Sequence, residues 1–392
     1  MEKLFAVSAP GLEPYTAVEL RQLGLLPADM ETAPPSKHKK KKPAVKYSGG
    51  VAFSGDLEAI YQANLCLRTA SRVLVRLGEF NAAAFSELRK KASRLLWERY
   101  VKPGQPVALR VSCRKSRLYH SSAVAERVAG AIGDRLGQPP PVGKFDDQGT
   151  DQLPQLIIVR LVRDRCTISL DTSGALLHRR GYRLETAKAP IRETLAAGML
   201  LASGWDAASP LLDPFCGSGT IPIEAALKAR GISPGSQRHF SFMDWHNFNA
   251  QMWEKVLEKE KLHTRSRIPK IIASDRDAGA IRIAQANAER AGVANDIEFS
   301  CRAVSAIEPH GSGWVVTNPP YGMRVSKNKD LRNLYAKFGK VLRVKCPGWH
   351  VAFLCNDLRL IHNTGLRLDT SLSLNNGGVA VKLARGQVED LV

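Results

Sequence analysis

Two stretches decide how this chain folds: Leu211 to Thr220, which reads Leu-Leu-Asp-Pro-Phe-Cys-Gly-Ser-Gly-Thr, and Val315 to Gly322, which reads Val-Val-Thr-Asn-Pro-Pro-Tyr-Gly. Each is a short apolar run that stops abruptly at small, polar or proline residues. This pattern is typical of a buried parallel strand that delivers a loop to the carboxyl edge of a sheet, where open α/β sheets bind their ligands. We therefore expect an α/β fold with a ligand site formed by these two loops.

The first stretch predicts a tight turn into a helix. Gly217 and Gly219 allow the unusual dihedrals of such a turn and let a ligand approach the backbone closely. The helix is expected to begin near Gly219, and Pro222 is compatible with its first turn. A dinucleotide-binding loop would carry a third glycine where Pro222 stands. The pattern therefore favours a loop around a nucleoside without a pyrophosphate.

The second stretch indicates the chemistry. Asn-Pro-Pro-Tyr at a strand end removes two backbone donors and fixes two dihedrals, so the carbonyls of Asn318 and Pro319 are expected to face a ligand. The side-chain oxygen of Asn318 beside such a carbonyl makes two acceptors, which match the two hydrogens of a planar amino group. Tyr321 offers a ring face for stacking. The alternative interpretation is a Pro-Pro turn that only closes a strand.

Further strands complete the predicted C-terminal sheet. They are expected at residues 271–275, 297–301, 314–317, 349–355, 370–374 and 379–383. Asp275 stands at the end of one of them, where an acidic side chain typically accepts hydrogen bonds from ribose hydroxyls. Asp277 is expected to cap the helix that follows.

The N-terminal half reads as a small basic α+β domain. Strands are expected at 4–8, 46–53, 72–78, 106–113, 156–162 and 166–170, and helices at 12–25, 56–68, 85–100 and 123–136. Arg114, Lys115 and Arg117 are candidate phosphate contacts, and the alternative is an ordinary exposed loop. The basic run from Lys37 to Lys42 is either a phosphate-grasping finger or a solvating insertion.

Composition narrows the partners and the compartment. The formal net charge is +20, and no long apolar segment suggests a membrane, so nucleic acid is the expected partner. The seven cysteines are odd in number and show no close pairs, and no signal peptide precedes the first strand. Both features predict a cytoplasmic protein with reduced thiols. The nine histidines are scattered without ligand spacing, so we expect no metal.

With these motifs the sequence resembles the class I methyltransferases that use S-adenosylmethionine to modify exocyclic amino groups. It is most similar to the THUMP-domain guanine-N2 RNA methyltransferases of the RlmL type, which act on 23S ribosomal RNA. Beside the two loops, the resemblance is carried over nearly the whole chain by Leu4-Phe5-Ala6, Gly11-Leu12-Glu13, Gly50 to Asp56, Arg179 to Arg183 and Ala189 to Ala197.

The resemblance implies a fold and its division into domains. A C-terminal class I methyltransferase domain, Rossmann-like and seven-stranded, should follow an α+β ferredoxin-like and THUMP region that binds RNA. The expected limits are 1–55 for the ferredoxin-like lead-in, 56–170 for the THUMP domain, 171–188 for a linker and 189–392 for the methyltransferase domain. In some bacteria such a unit is fused to a second methyltransferase, and a chain that ends at Val392 is expected to lack that second activity.

The resemblance also implies roles for individual residues, with S-adenosylmethionine as the cofactor. The expected cofactor contacts are Asp213, Pro214, Phe215, Cys216, Gly217, Ser218, Gly219, Thr220, Asp275, Arg276, Glu193, Thr194 and Asn318. The expected catalytic residues are Asn318, Pro319, Pro320 and Tyr321, which would hold the amino group of a flipped-out guanine. Relatives usually carry an acid for the adenine amino group where Ala303 stands here, so this chain departs from the family pattern at that contact.

Two segments between these motifs have alternative interpretations. Arg179, Arg180 and Arg183 bracket Gly181-Tyr182 in the linker and are candidate RNA contacts. The alternative is a hinge that packs Tyr182 against the next domain. The connection from Ser233 to Arg267 is rich in aromatic residues, and a connection of this length is usually functional or a lid.

The expected function is methyl transfer to the exocyclic N2 amino group of a guanine, with 23S ribosomal RNA favoured over tRNA by the resemblance. An adenine-N6 DNA methyltransferase or a protein-glutamine methyltransferase would use the same Asn-Pro-Pro-Tyr chemistry, but the basic N-terminal half argues for RNA. A rival from another class is a non-catalytic RNA-binding ribosome assembly factor with a weakened cofactor site. Ala303 is the only feature that favours this rival.

Overall fold

The chain folds into two β-sheets, which follow each other along the sequence. The computed structural model describes residues 1–27, 49–147, 153–184, 191–321 and 331–389. The basic run from Lys37 to Lys42 lies outside the described residues, so both interpretations of it stay open. Within these five ranges, no helix is both long enough and apolar enough to cross a bilayer. The same ranges contain no group of three or more His, Cys, Asp or Glu side chains placed to hold a metal ion.

A six-stranded sheet organises the N-terminal half. Its elements are β1 (Glu2–Ser8), α1 (Glu13–Gln22), β2 (Gly50–Gly55), α2 (Leu57–Cys66), β3 (Ala70–Asn81), α3 (Phe85–Ala92), β4 (Val107–Arg114), α4 (Ser121–Leu136), β5 (Gln155–Val162) and β6 (Arg165–Asp171). The strand order is β2-β1-β3-β6-β5-β4, and β4 and β5 form the parallel pair. Because β3 pairs with both β1 and β6, the ferredoxin-like and THUMP regions share one sheet. The limits of the domains stay a prediction.

The helix expected over 85–100 is shorter than predicted. It ends at Ala92, and a separate 3₁₀ turn follows at Trp97–Arg99. The indole Nε1 of the buried Trp97 donates a hydrogen bond of 2.9 Å to the Ala92 carbonyl. That carbonyl would accept from residue 96 if the helix continued. The need to bury the Trp97 ring against the sheet thus overrides the helical periodicity of the segment.

A seven-stranded sheet organises the C-terminal half. Its elements are α5 (Glu193–Ser203), β7 (Leu211–Asp213), α6 (Thr220–Arg230), α7 (Ala250–Lys261), β8 (Ile271–Asp275), α8 (Ala278–Arg290), β9 (Ile297–Cys301), β10 (Trp314–Thr317), α9 (Arg332–Lys345), β11 (His350–Cys355), α10 (Leu358–Asn363), β12 (Ser373–Asn376) and β13 (Val379–Gln387). The order is β12-β13-β11-β10-β7-β8-β9, with a parallel core of five strands closed by the antiparallel β13 and β12. This confirms the predicted Rossmann-like sheet.

The closing hairpin turns later than predicted. The predicted strands 370–374 and 379–383 leave Asn375 to Gly378 for the turn, but both asparagines pair within β12, and Gly377 and Gly378 alone make the reversal. Both glycines have positive φ, at 58° and 89°, as a two-residue hairpin turn requires. The side chain of Asn376 is thereby held on a strand beside the active site instead of lying in a surface turn.

The long connection between α6 and β8 packs against the N-terminal half. Phe240 and Phe242 are fully buried, and the Phe242 ring stacks on Tyr61 of α2 with 4.6 Å between centroids. The Tyr61 hydroxyl also accepts a hydrogen bond of 2.9 Å from the backbone N–H of Asn249. The expectation of a lid is therefore wrong for this part of the connection. Its aromatic residues complete the core of the neighbouring sheet and join the two halves.

A second buried contact joins the halves where β1 leads into α1. Gly11 has φ +90°, and a Cβ built on it would lie 2.2 Å from the carbonyl oxygen of Ser373 in β12. Leu12 packs against Gly198 of α5 in the same way, because a Cβ on Gly198 would lie 2.5 Å from the Leu12 side chain. Both glycines are thus needed for close packing, and this contact fixes the N-terminal half on the C-terminal sheet.

Candidate active site

Three neighbouring strands deliver the predicted site residues to one edge of the C-terminal sheet. Strand β7 lies between β10 and β8, and all three run parallel. Asp213, Asp275 and Thr317, which precedes Asn318, are the last residues of these strands. The carboxyl ends of parallel strands meet at one edge, so the two predicted loops lie side by side as expected.

Asp213 connects the two loops. Its Oδ1 accepts hydrogen bonds from the Thr317 hydroxyl at 2.6 Å and from the Phe215 backbone N–H at 3.1 Å. Burial raises the pKa of the Asp213 carboxyl to about 7, against the lowering effect of these bonds, and the nearby Asp275 raises it further. Asp213 therefore holds the end of β10 in place beside the turn that follows β7. Its predicted contact with the cofactor stays a prediction.

Asp275 braces the glycine loop and still has acceptor capacity. Its Oδ2 accepts from the Gly217 N–H at 3.0 Å, and its Oδ1 accepts from the Asp277 N–H at 3.0 Å. Each carboxylate oxygen has a second lone pair, which fits the predicted role of accepting hydrogen bonds from ribose hydroxyls. Asp277 caps α8 through the N–H groups of Gly279 and Ala280, which confirms the prediction made for it. Arg276, another predicted contact, is exposed next to them.

The glycine loop is packed on one side and open on the other. Gly219 has φ +83°, and a Cβ built on it would lie 2.9 Å from the Cβ of Ala284 in α8. Gly217 has φ +52°, and a Cβ there would meet no atom of the described residues within 4 Å. Helix α6 then begins at Thr220, which confirms the predicted helix start. The open side of the loop fits a bound nucleoside.

Asn287 supports this loop through a hydrogen bond to Ser218, a role that sequence reasoning missed. It is fully buried on α8, and its Nδ2 donates a hydrogen bond of 3.0 Å to the Ser218 carbonyl. Its Oδ1 accepts from Arg290, whose Nε donates 2.8 Å to the Tyr182 carbonyl. The glycine loop is thus connected, through Asn287 and Arg290, to the segment between the two halves. An asparagine in the middle of a helical pattern looks like any surface position until its neighbours are known.

The Asn-Pro-Pro-Tyr segment presents an acceptor without a donor. Asn318 Oδ1 is buried, yet it accepts no hydrogen bond from any described residue. The Tyr321 hydroxyl accepts from Asn376 Nδ2 at 2.7 Å, and the Tyr335 hydroxyl donates to the Pro320 carbonyl at 3.3 Å. A buried acceptor of this kind costs free energy unless a ligand completes it. The segment is therefore arranged to receive a donor such as an amino group.

Glu193 and Thr194 are both buried at the start of α5. Glu193 accepts a 3.0 Å hydrogen bond from Arg183, which also donates 2.7 Å to the Ile191 carbonyl. Burial raises the pKa of Glu193 to about 7, while Arg183 favours its charged form. The structure thus brings a predicted cofactor contact and a predicted RNA contact together as an ion pair. A cofactor role for Glu193 and Thr194 stays a prediction.

The candidate RNA contacts fall into two groups. Arg114, Lys115 and Arg117 are exposed at the end of β4. Arg180 is only 3% exposed and donates 2.6 Å hydrogen bonds to the carbonyls of Leu177 and Arg68. The prediction that Arg180 binds an RNA phosphate is therefore wrong, because its guanidinium already donates hydrogen bonds inside the protein.

The segment around Arg180 is a buried junction. Tyr182 is 2% exposed, and its hydroxyl lies 3.1 Å from Glu224 Oε1 on α6. This arrangement supports the alternative in which Tyr182 packs against the methyltransferase half. Arg179 is partly exposed. Ala303, where an acid was expected, is exposed and precedes a 3₁₀ turn at Val304–Ala306.

Comparison with known families assigns three stretches of the chain. Residues 180–381 match the UPF0020 family, described as the RMKL-like methyltransferase domain. Residues 44–74 match the RlmL ferredoxin-like domain, and residues 82–171 match the THUMP domain. The three matches follow the order that the sequence motifs indicated.

Relatives and solved structures agree with these matches. The chain is 35% identical to the ribosomal RNA large subunit methyltransferase K/L of Syntrophotalea carbinolica, over 97% of this chain and 53% of that protein. It is 32% identical to a candidate RNA methyltransferase of Synechocystis, over 97% of this chain and 95% of that protein. The chain thus spans about half the length of the K/L relatives it matches.

A crystal structure shows the same architecture over the full chain. It is that of a candidate methyltransferase in complex with S-adenosylhomocysteine, and it superposes with a TM-score of 0.85 at 28% identity over 100% of this chain and 99% of that one. S-adenosylhomocysteine is the product that S-adenosylmethionine leaves after methyl transfer.

Proposed function

The chain belongs to the UPF0020 family of RMKL-like methyltransferase domains, and from this premise we propose that it transfers a methyl group from S-adenosylmethionine to the N2 amino group of a guanine in 23S ribosomal RNA. The observation that carries the proposal is the buried Asn318 Oδ1, which lacks a donor among the described residues and lies in the same four-residue segment as Tyr321. The K/L relatives and the THUMP domain support an RNA substrate.

The residues around the glycine loop fit S-adenosylmethionine, which supplies an electrophilic methyl group when it is bound. Asp275 would accept hydrogen bonds from the ribose hydroxyls, and the exposed backbone at Gly217 would lie against the nucleoside. The buried Ser274 Oγ has no hydrogen-bond partner among the described residues and offers a further polar contact. Arg276, Glu193 and Thr194 complete the proposed surroundings, and the adenine contact is made without an acid at Ala303.

The proposed role of the Asn-Pro-Pro-Tyr segment is to orient the acceptor amino group. The lone pair of guanine N2 is delocalised into the ring, so the planar amine is a poor nucleophile. Hydrogen bonds from its two hydrogens to Asn318 Oδ1 and the Pro319 carbonyl favour a pyramidal nitrogen whose lone pair can attack. Fixed dipoles of this kind stabilise the transition state without a proton acceptor. Asn318 cannot take a proton, so the proton leaves to water after transfer.

Alignment supplies the remainder of the proposed catalysis. Tyr321 would stack on the flipped base, a contact that contributes about 1 to 3 kcal/mol per stacked base. Pro319 and Pro320 restrict the backbone, so the acceptors stay in place while the base enters. Arg114, Lys115 and Arg117 are proposed to neutralise phosphates of the same RNA, each with an effect of about one unit on the log-log salt slope of binding.

Labelled methyl transfer tests the proposal directly. S-adenosylmethionine with a labelled methyl group is incubated with 23S RNA or with tRNA, each isolated from cells that lack the gene, and the nucleosides are then separated. Label in N2-methylguanosine from 23S RNA alone is expected. Label from tRNA alone would identify tRNA, and not 23S RNA, as the substrate. Label in N6-methyladenosine would identify the N6 amino group of adenine as the acceptor. RNA binding without any label would favour the assembly factor.

Two variants separate the proposed roles. Asn318→Ala is expected to reduce transfer by 10²-fold or more while the affinity for S-adenosylmethionine is kept, since it removes a dipole that acts in the transition state. Asp275→Ala is expected to weaken cofactor binding itself. Lys259→Ala, an exposed change on α7, is the control. Equal loss of cofactor affinity in both site variants would contradict the assignment.

A further inference from the structure

The loop after β4 and the turn between β5 and β6 meet at one end of the N-terminal sheet. The Arg163 N–H donates a hydrogen bond of 3.1 Å to the Arg114 carbonyl. The Asp164 N–H likewise donates 3.0 Å to the Ser116 hydroxyl, and in the other direction Asp164 Oδ1 accepts from the Arg117 N–H at 2.7 Å. The two segments therefore form one surface, which we call the tip: Arg114, Lys115, Arg117, Tyr119, His120 and Arg163.

The tip is strongly positive. Arg114, Lys115, Arg117 and Arg163 are all exposed, and among the described residues none of them has an ion-pair partner. The nearby Arg165, in contrast, is paired with Glu79 at 2.6 Å. The acid next to the tip, Asp164, is engaged with backbone and hydroxyl groups of the loop. Four cations are therefore available to a polyanion on a surface a few residues wide.

The tip also exposes an aromatic pair. The Tyr119 side chain is 69% exposed, and its ring lies 4.1 Å from the His120 ring, centroid to centroid, at a tilt of 41°. Few large apolar side chains of the described residues are so exposed, and His120 leaves one face of Tyr119 open. An aromatic face beside several cations is the combination that binds unpaired nucleotides, because bases stack on the ring while phosphates meet the cations.

The backbone of the tip is fixed before any ligand arrives. Lys115, Arg163 and Asp164 have φ of +51°, +52° and +61°, a region that long side chains seldom adopt. The hydrogen bonds between the two segments hold these conformations. The cations are thereby presented from a rigid turn, which lowers the entropy lost on binding. Arg163 and Asp164 are the two central residues of the β5–β6 hairpin, and such a turn requires positive φ at both positions.

The tip lies at the end of the sheet away from the methyltransferase half. Strand β6 begins next to the tip at Arg165 and runs to Asp171, where the chain leaves for the C-terminal half. Seven residues of strand span about 20 Å. The tip is therefore separated by the length of β6 from the point where the chain leaves for the C-terminal half.

We propose that the tip docks an unpaired segment of the substrate RNA, remote from the guanine that is methylated, with one base stacked on Tyr119 and the adjoining phosphates held by Arg114, Lys115, Arg117 and Arg163. The inference rests on the proposed function, which supplies the RNA. It adds Tyr119, His120 and Arg163 to the RNA-binding residues. It also makes the substrate a structured RNA that is recognised at two separated places.

The experiment measures binding of a single-stranded RNA oligonucleotide and of the matched duplex, each at several salt concentrations. Tyr119→Ala is expected to weaken binding of the single strand by about 5- to 150-fold, the range that corresponds to the loss of one stacked base. Tyr119→Phe should restore binding because it keeps the ring. Arg163→Asn keeps a residue that tolerates positive φ, and it should reduce the salt slope by about one unit.

Two controls keep the outcome interpretable. Lys259→Ala removes one exposed cation elsewhere and should leave the salt slope and the affinity unchanged. Affinity for S-adenosylmethionine should be the same in all variants, since the tip does not touch the cofactor loop. In methylation of 23S RNA, Tyr119→Ala and Arg163→Asn should raise KM at constant kcat.

Either of two results would overturn the docking role of the tip. One is unchanged RNA affinity and salt slope in Tyr119→Ala and Arg163→Asn, with wild-type methylation intact, which would leave the proposed function standing. The other is a wild-type preference for the duplex that Tyr119→Ala does not alter. If instead the wild-type protein binds no RNA, the proposed function fails together with this inference.

Discussion

At the scale of single residues, the buried carboxyl of Asp213 ties the stability of the fold to pH. Its pKa is raised from 3.8 to about 7 by burial, so the folded protein holds this proton up to a higher pH than the unfolded chain does. Unfolding is therefore progressively favoured as pH rises from about 4 to about 7, where the buried group must ionise. The penalty is complete above the folded pKa and absent below the unfolded one.

Asp213→Asn is expected to remove this penalty and to keep the acceptor for Thr317 and Phe215. The melting temperature of the variant, relative to that of wild type, should rise between pH 4 and pH 8. The corresponding gain in the free energy of unfolding is up to about 4 kcal/mol for a difference of three pKa units. Thermal unfolding across this pH range is the measurement. Asp206→Asn is the control, because hydrogen bonds lower the pKa of the exposed Asp206 despite some burial. Its effect on stability therefore changes only below about pH 4, and its difference from wild type should stay constant between pH 4 and pH 8. A constant difference for Asp213→Asn at every pH would contradict the prediction.

Asn376 acts through Tyr321. Its Nδ2 donates 2.7 Å to the Tyr321 hydroxyl and so restrains the ring that is proposed to stack on the base. Asn376→Ala should lower kcat/KM for RNA by about 5- to 10-fold, the effect of one hydrogen bond between neutral groups, without changing cofactor affinity.

A double-mutant cycle tests whether this hydrogen bond is the cause. Tyr321→Phe removes the same bond, so adding Asn376→Ala to it should cost little more. If the two effects add in full, Asn376 acts on the site by another route.

At the scale of elements, α8 positions the glycine loop that is proposed to hold the cofactor. Asn287 donates to the Ser218 carbonyl from a fully buried position, and Ala284 fills the space below Gly219. Asn287→Ala would leave the Ser218 carbonyl without its donor and the loop less restrained. We expect about a tenfold loss of affinity for S-adenosylmethionine with unchanged affinity for RNA, a loss equivalent to one buried hydrogen bond.

Calorimetric titration with S-adenosylmethionine, well below the melting temperature of each variant, measures this effect. Gln285→Ala, on the exposed face of the same helix, is the matched control. A loss of RNA affinity in parallel with cofactor affinity would mean that Asn287 supports the whole fold and not the loop.

At the scale of the whole molecule, Arg238 fixes the segment between the two sheets. Its guanidinium donates to four backbone carbonyls, those of Ser173, Ala175, Leu176 and Arg179, at 2.5 to 3.1 Å. Arg238 belongs to the long connection after α6, so a side chain from this connection holds the segment that follows β6 of the N-terminal sheet. The carbonyls of a loop buried in this way would otherwise lack donors.

Arg238→Ala is expected to loosen the two halves from each other. The melting temperature should fall by several degrees, or thermal unfolding should split into two transitions. Limited proteolysis should cut the chain between residues 171 and 184. Arg238→Lys should rescue only part of the loss, because a lysine cannot present the planar fork of donors. A single, unshifted transition in Arg238→Ala would show that the aromatic contacts around Tyr61 hold the halves together without it.

Features that depend on local stereochemistry could be predicted from the sequence alone. Gly217 and Gly219 predicted the turn into α6, Asp277 predicted the cap of α8, and the apolar runs predicted the seven strands. Each is a property of a few consecutive residues, so it can be read without knowing what lies opposite. The pairing of the Asp213 loop with the Asn-Pro-Pro-Tyr segment also followed, because parallel strands end at a common edge.

Which polar groups meet across the chain could be seen only in the folded protein. Arg180 and Arg183 looked like exposed cations, yet one is buried and the other is paired with Glu193. The aromatic connection looked like a lid and is part of the N-terminal core. Asn287 and Asn376 carried no signal at all. The physical reason is that burial and hydrogen bonding between distant residues depend on how two sheets pack, and periodicity within one element does not encode its partner in another.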